Sequence, residues 1–213
     1  MSDTIRIDVV SDVICPWCFL GKRRLDKALM QVPQAKVEVV FRPYFLDPTI
    51  PDGGLDREQY MVAKFGKERL KNIHDPLVAA GKEDGVPYHF DKITRTPSSM
   101  NAHRLLRWAH AAGAQHGVME ALFMAYWSWG QDISNIDVLR TIAIVNGFNG
   151  PDVTKHLASD LDRQEVLTEA KSAQQVGVTG VPTFIVNKKY GMVGAQPVSA
   201  IVEMLQKLSA APA

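Results

Sequence analysis

The chain has 213 residues, 46% of them hydrophobic, which is enough to bury a substantial core in one domain or two. Its 24 lysines and arginines nearly balance 23 aspartates and glutamates, so nothing in the charge suggests nucleic acid or an anionic membrane as a partner. No apolar run approaches the roughly 20 residues that a membrane span requires, and Met1–Thr4 lacks the basic and apolar regions of a signal peptide. We therefore expect a soluble, cytoplasmic protein.

The first predicted elements are a strand, a helix and a second strand. β-Branched and apolar residues from Ile5 to Val10 predict the first strand. Apolar residues at helical spacing from Phe19 to Leu29 predict an amphipathic helix. Lys36–Pro43 contains three valines and a phenylalanine, which predict the second strand.

A long helical block follows. Asp56, with Gln59 three residues later, is typical of a helix N-cap, and we predict a helix from there to about residue 72. Pro76 suits the first turn of another short helix, and residues 81–97 are polar and without a regular pattern. Further helices are predicted from Ser98 to Gly113, from Val118 to Trp129, from a Ser134–Asp137 capping pair to Gly147, from Pro151, and from Asp162 to Val176.

Strand signals return only near the end of the chain. Thr183–Val186 and Tyr190–Gly194 predict a hairpin, and a last helix follows Pro197. The order strand–helix–strand, helical block, strand–strand–helix indicates a small α/β domain with a helical insertion. We assign residues 1–55 and 178–213 to the α/β domain and residues 56–177 to the insertion.

The only two cysteines of the chain lie in Cys15-Pro16-Trp17-Cys18, where the first strand turns into the first helix. At a helix N-terminus, unpaired backbone N–H groups and the positive end of the helix dipole face the first sulfur. This environment favours the thiolate, which is the reactive form of cysteine. Two thiols at this spacing also close into a disulfide with each other. The motif therefore predicts redox chemistry.

Structural roles explain the two cysteines less well. A structural zinc site normally has four protein ligands, and the six histidines all lie far from the motif in sequence. A disulfide across so short a loop removes little entropy from the unfolded chain. In a reducing compartment, two neighbouring cysteines are more typical of catalysis. We predict a reactive dithiol and no metal site.

A second informative motif, Gly180-Val181-Pro182-Thr183, precedes the third strand. Proline gives no ladder hydrogen bond, so it suits a turn at the strand entrance rather than the middle of a central strand. A cis peptide bond is a structural device where it occurs, but trans is the commoner form of an X–Pro bond. The residues alone leave both forms open.

With both motifs in view, the sequence resembles the thioredoxin fold, and the helical insertion resembles the DsbA-like superfamily. Within it, the FrnE-like group of cytosolic dithiol oxidoreductases is the most similar. The matching stretches are Asp12–Cys18, Arg42–Leu46, Ala102–Leu105, Gly177–Phe184 and Gly194–Pro197. The resemblance implies an α/β fold of the thioredoxin type with a large all-helical insertion, and a cis Val181–Pro182 bond against the cysteine motif.

The same resemblance implies a thiol–disulfide oxidoreductase that acts on disulfide- or thiol-bearing proteins or peptides. Cys15, which we expect to be exposed at the helix start, is the predicted nucleophile, and Cys18 resolves the mixed disulfide. Pro16 fits the first helical turn, and Trp17 is expected on the rim, where it offers apolar contact to a substrate. Val181, beside Pro182, is expected to pair with an extended substrate by β-strand addition.

Related kappa-class glutathione transferases and 2-hydroxychromene-2-carboxylate isomerases supply an alternative. They share this architecture but typically carry serine at the position of Cys15, and they use glutathione rather than a dithiol. Both cysteines are present here, which favours dithiol–disulfide exchange. We expect no cofactor, with glutathione as a candidate co-substrate.

Three further patterns each allow a functional and a structural interpretation. Asp12 either accepts a proton from Cys18 or caps a turn. The stripe of His103, Arg107 and His110 on one helix either binds an anion, such as a glutathione carboxylate, or forms a solvated or helix-packing face. The aromatic residues between Met119 and Trp129 are either buried or line a groove for a client protein.

Overall fold

A four-stranded mixed sheet forms the centre of the computed structural model, which describes residues 4–210. Its strands are β1 (Ile5–Ser11), β2 (Val37–Pro43), β5 (Thr183–Val186) and β6 (Tyr190–Val193), in the order β2-β1-β5-β6. β1 is parallel to β2 and antiparallel to β5, and β6 pairs with β5 as a hairpin. The register sets Val10 opposite Thr183, so the C-terminal end of β1 and the N-terminal end of β5 lie at the same end of the sheet.

The first and last helices pack against each other beside this sheet. α1 spans Pro16–Gln31 and α10 spans Val198–Ala210. α1 directs its apolar residues inward, and Phe19, Leu20 and Leu25 are fully buried. Alternate residues of β1, including Ile7, are buried with them in the same core. This β-α-β and β-β-α arrangement is the predicted thioredoxin fold.

Between β2 and β5 the described chain is mostly helical. A two-stranded ladder of β3 (Leu55–Asp56) and β4 (Arg95–Thr96) frames the first part. The helices are α2 (Arg57–Phe65), α3 (Lys67–Leu70), α4 (Asp75–Asp84), α5 (Met100–Ala111), α6 (Gln115–Phe123), α7 (Ile136–Val145), α8 (Gly150–Leu157) and α9 (Arg163–Gln175). The large insertion predicted from the sequence is therefore present, but it is not all-helical, because Arg95–Thr96 pairs with Leu55–Asp56.

Local backbone geometry corrects several predicted boundaries. The helix predicted from Asp56 to residue 72 is broken at Gly66, whose φ of 77° lies outside the helical region. α4 continues to Asp84, within the stretch predicted to be irregular, and stops at Gly85 in the left-handed conformation. The cap before α7 is Asn135, not Ser134, and accepts from the Asp137 N–H at 2.8 Å. These positions depend on single turns, which periodicity does not resolve.

One hydrophobic core joins the sheet to the inserted helices. Phe19 of α1 stacks on Phe123 at the end of α6, with ring centroids 5.1 Å apart. The same buried cluster includes Ile7 of β1, Leu105 of α5 and Leu205 of α10. The domain boundaries at residues 55 and 178 stay a prediction, since packing is continuous across them. None of the helices within residues 4–210 is long and apolar enough to cross a membrane.

Candidate active site

The two cysteines lie where β1 gives way to α1. Cys15 is the N-cap of α1 with extended backbone (φ −98°, ψ 112°), and Pro16 occupies the first helical position. The Cys15 N–H donates to the Asp12 carbonyl at 3.0 Å, and the Cys18 N–H donates to the Cys15 carbonyl at 3.0 Å. Both cysteines are free thiols. The motif is therefore a tight turn that places both sulfurs at the helix N-terminus, as the sequence predicted.

Cys15 is more enclosed than we expected. Its exposed fraction is only 3%, so the prediction of an exposed nucleophile is wrong for this conformation. The cause is the segment before β5: the Cys15 thiol lies 3.6 Å from the Val181 carbonyl oxygen and donates to it. The family resemblance placed the Val181–Pro182 bond against the cysteine motif, but it did not predict that this contact would bury Cys15. A client sulfur must reach Cys15 past this contact.

Cys18 lies one turn deeper and is also buried. Burial raises the pKa of the Cys18 thiol well above its usual value, and the neighbouring Cys15 raises it further by hydrogen bonding and by charge. Hydrogen bonds from the Ser11 side chain and the Asp12 backbone oppose this rise without cancelling it. At neutral pH Cys18 is therefore held as a protonated thiol.

The segment before β5 lies against the cysteine motif. The Val181–Pro182 peptide bond is cis, which confirms the expectation drawn from the resemblance. Pro182 is buried and packs on α1 at Gly21, where an added Cβ would come within 2.9 Å of the proline ring. Within residues 4–210 the Val181 N–H makes no hydrogen bond, whereas its carbonyl faces Cys15. Val181 therefore keeps its backbone donor unpaired, while its carbonyl contacts the Cys15 sulfur.

Asp12 is completely buried and makes the contacts of a turn-capping residue. One carboxylate oxygen accepts from the Ile14 N–H at 3.3 Å and the other from the Leu46 N–H at 2.8 Å. His103, also buried, donates from Nε2 to the Tyr44 carbonyl at 3.1 Å, and this nitrogen lies 3.6 Å from the Asp12 carboxylate. These bonds hold the segment after β2 against the active-site turn. A substrate-binding role for His103 stays a prediction.

Family comparison agrees with this geometry. A model of the DSBA-like thioredoxin domain family matches residues 6–206. The chain belongs to this family. A probable DsbA oxidoreductase from Streptomyces coelicolor is 29% identical, and its structure superposes with a TM-score of 0.88 over 98% of this chain and 92% of that chain.

Two more distant structures share the fold of this DsbA-like chain. A 2-hydroxychromene-2-carboxylate isomerase is 15% identical with a TM-score of 0.75, and the match covers 95% of each chain. The cytosolic disulfide reductase DsbM from Pseudomonas aeruginosa, with GSH, is also 15% identical; its TM-score is 0.64 over 96% of each chain. At this identity the likeness extends to the fold alone.

The histidine–arginine stripe of the DsbA-like chain faces another helix. The Arg107 guanidinium lies beside two carboxylates near and within α9, 3.5 Å from Asp162 and in direct contact with Glu169. The stripe and α9 enclose a small cavity of about 100 Å³. Because its charge is already paired, Arg107 serves helix packing, and the structural interpretation of the stripe is favoured.

The rim of the active-site turn holds the other predicted substrate contacts. Trp17 is 40% exposed, as expected for a rim residue, and Pro16 is half-buried. Within residues 4–210 no group of three or more histidine, cysteine, aspartate or glutamate side chains could hold a metal ion.

Two inserted aromatic residues reach the active-site turn, and the sequence did not reveal either contact. The Trp127 indole N–H donates to the Val13 carbonyl at 2.9 Å, and the Tyr88 hydroxyl donates to the Pro16 carbonyl at 2.5 Å. The aromatic composition of this segment correctly suggested burial of Tyr126 and Trp127, but Trp129 is 56% exposed, and the partner of Trp127 was not predicted. Tyr88 lies in the stretch that looked irregular, and no local pattern marks it.

Proposed function

We propose that this DsbA-like protein is a thiol–disulfide oxidoreductase that exchanges disulfides with protein, peptide or small-thiol substrates. The observation that carries the proposal is the pair of free thiols at the N-terminus of α1, with the Val181 carbonyl 3.6 Å from the Cys15 sulfur. From the sequence resemblance we place it in the FrnE-like group and expect it to work in the cytoplasm, a reducing compartment in which a neighbouring cysteine pair is more typical of catalysis than of structure.

The reaction has two exchange steps. The Cys15 thiolate attacks one sulfur of a client disulfide; a bond forms between them, the client S–S bond breaks, and the second client sulfur leaves as a thiolate that takes up a proton. The Cys18 thiolate then attacks the Cys15 sulfur and releases the first client sulfur. The client gains two electrons and two protons, and the enzyme ends with a Cys15–Cys18 disulfide. The reverse sequence oxidises a client dithiol.

The raised pKa of Cys18 gives the two cysteines different roles. A thiol held in its protonated form is a poor competitor for the incoming client disulfide. Cys18 must lose its proton before it can attack the mixed disulfide. This order of events matches Cys15 as nucleophile and Cys18 as resolving cysteine.

Val181 supplies the means of holding an extended client. Within residues 4–210 its backbone N–H makes no hydrogen bond, and the carbonyl of the same residue lies 3.6 Å from the Cys15 sulfur, so a client strand can pair with Val181 by β-strand addition. Such a client also contacts the exposed Trp17 ring. Because main-chain hydrogen bonds carry little sequence information, this geometry supports several clients rather than one. Glutathione is the small-thiol candidate.

The decisive experiment measures the Cys15–Cys18 reduction potential in glutathione redox buffers, together with insulin reduction. Wild type should form an intramolecular disulfide and reduce insulin, and Cys15→Ala should do neither. Cys18→Ser should accumulate mixed disulfides with clients, whereas Cys15→Ser should not. If no intramolecular disulfide forms at any ratio of reduced to oxidised glutathione, the proposal fails. Glutathione conjugation or isomerisation that survives in the double variant Cys15→Ala, Cys18→Ala would instead establish the glutathione-dependent alternative.

A further inference from the structure

Tyr88 reaches the active-site turn from the inserted segment. It lies between α4 and a short 3₁₀ turn at Phe90–Lys92, and its hydroxyl donates to the Pro16 carbonyl at 2.5 Å. The distance is at the short end for an O–H···O bond, so the contact is a close one. No other side chain within residues 4–210 donates to a carbonyl of the Cys15–Cys18 motif.

Aromatic contacts fix the direction of this hydroxyl. The Tyr88 ring stacks on Phe90, with ring centroids 5.2 Å apart. It also makes T-shaped contacts with Phe19 and Trp127, at centroid distances of 5.9 Å and 6.3 Å. α4 leaves room for the ring only because residue 81 is glycine: an added Cβ at Gly81 would lie 2.7 Å from the ring. Since the ring is held on several sides, the hydroxyl remains on the Pro16 carbonyl without help from solvent.

The Pro16 carbonyl and the Trp17 N–H belong to one peptide group. Trp17 is the second helical position, and N–H groups at this position point toward the N-cap side chain, here Cys15. In the dithiol form Cys15 accepts no such bond and donates to Val181 instead. When Cys15 carries negative charge, its sulfur becomes the acceptor. A donor on the carbonyl of a peptide polarises the N–H of the same peptide, so the two hydrogen bonds reinforce each other.

We infer that Tyr88 is a positioning residue for the dithiol reaction: its hydroxyl fixes and polarises the Pro16–Trp17 peptide, whose N–H stabilises negative charge on the Cys15 sulfur. This inference rests on the proposed function and adds a residue that the cysteine motif does not contain. It also gives the inserted segment a direct part in the chemistry of the sheet domain.

The electrostatic surroundings keep Tyr88 in its donating form. Burial raises the pKa of Tyr88 far above its usual value, and negative charge at Cys15 and Cys18 raises it further. The Leu20 backbone and the Arg24 charge act in the opposite direction and are outweighed. The phenol therefore stays protonated over the whole pH range in which the thiols react.

The test compares Tyr88→Phe with Tyr126→Phe as a matched control. Tyr126 is a buried phenol, whereas Tyr88 is half-buried; like Tyr88 it donates to a backbone carbonyl, that of Arg95 at 3.2 Å, but it has no bond to the cysteine motif. Tyr88→Phe should shift the equilibrium with glutathione toward the disulfide by about twofold to fivefold and slow iodoacetamide alkylation of Cys15 by a similar factor. The control should leave both values at those of wild type.

A second variant keeps the phenol and misplaces it. In Gly81→Ala the new Cβ would lie 2.7 Å from the Tyr88 ring and 2.9 Å from the Val86 carbonyl, so the segment that carries Tyr88 should move and both values should shift in the same direction as in Tyr88→Phe. Wild-type values in folded Tyr88→Phe, or an equal shift in Tyr126→Phe, would overturn the inference. If wild type forms no disulfide, the proposed function fails separately, and the alkylation rates alone then decide the role of Tyr88.

Discussion

The Cys15 sulfur lies 3.6 Å from the carbonyl oxygen of Val181, although 166 residues separate them in the sequence. This contact joins the two motifs that the sequence marked independently. It also places a backbone acceptor on the proposed nucleophile, and the Val181 N–H makes no hydrogen bond within residues 4–210. The Cys15 sulfur is consequently shielded from solvent. The small exposed fraction of Cys15 therefore does not measure how fast its sulfur reacts once a client reaches it.

Alkylation should distinguish the two thiols. We expect iodoacetamide to modify Cys15 of the reduced protein about tenfold or more faster than Cys18 near pH 7, because burial raises the pKa of Cys18 and keeps it protonated. Peptide mass spectrometry after timed quenching measures both rates. Because the Cys15 sulfur is enclosed, a bulky maleimide should modify Cys15 more slowly than it modifies an exposed thiol of equal reactivity. Faster labelling of Cys18 would reverse the assignment of the two roles.

Resolution of the mixed disulfide should accelerate with pH. Cys18 attacks as a thiolate, and burial, the largest cause, raises its pKa even when Cys15 is bound in the mixed disulfide, so the reactive fraction rises about tenfold per pH unit below that pKa. Single-turnover experiments between pH 6 and 9 with a model disulfide peptide measure the rate of Cys15–Cys18 closure. A closure rate independent of pH over this range would contradict the described state of Cys18.

Gly21 controls the distance between α1 and the Val181–Pro182 segment. In Gly21→Ala the new Cβ meets the Pro182 ring at 2.9 Å and Phe184 at 3.3 Å, so the segment must move away from α1. We expect a several-fold loss of insulin reduction, although alanine is the better helix former by about 1 kcal/mol. Gly191→Ala is the control, because a Cβ there has no neighbour within 4 Å. Equal activity of the two variants would show that the segment tolerates displacement.

Asp84 should stabilise the fold in a pH-dependent manner. Burial tends to raise its pKa, but hydrogen bonds and charge from Arg24 and Lys27 outweigh burial and lower the pKa below 3.8. Asp84 links α4 to α1 through contacts of 2.6 Å and 2.9 Å to these cations. We expect Asp84→Asn to lower the free energy of unfolding by about 1 kcal/mol at neutral pH.

The sign of the pH effect follows from the lowered pKa of Asp84. Its stabilisation is present above the unfolded value near 3.8 and is lost as the pH falls through the folded value. The difference between wild type and Asp84→Asn in urea unfolding should therefore narrow as the pH falls from 7 toward 3. The exposed pair of Glu203 and Lys207 provides a control, since Glu203→Gln should not change stability measurably. If wild type and Asp84→Asn differ by the same free energy of unfolding at all pH values, ionisation of Asp84 is not the cause of that difference.

Local patterns predicted the parts of this molecule that depend on neighbouring residues. The strand from Ile5, the helix that begins at Pro16 and the Asp56 cap, which accepts from Gln59 at 2.9 Å, all follow from residue types at short spacing. The meeting of Cys15 with Val181 came from the family resemblance, because no local rule brings distant segments together. The sequence supplied the chemistry of the site, but not its enclosure.

Long-range packing decided the features that were missed. Cys15 is buried because Val181 lies on its sulfur. Tyr88 reaches Pro16 because aromatic residues from three separate segments surround its ring. Neither arrangement leaves a periodic trace in the sequence. Arg107 was ambiguous for the same reason: the positions of Asp162 and Glu169 show that its charge is paired, and both lie more than 50 residues away in the sequence.

The Trp127 hydrogen bond to Val13 bears on how such a chain can be divided. Removal of the segment between β2 and β5 would leave the Val13 and Pro16 carbonyls without the side-chain donors that now contact them. A shortened chain that preserves every strand of the sheet would thus lose part of the scaffolding around its cysteines. Grafting this insertion onto another thioredoxin-like sheet would likewise transfer side chains that act on the recipient's own active-site loop. In this protein the inserted segment and the cysteine motif therefore form one structural unit.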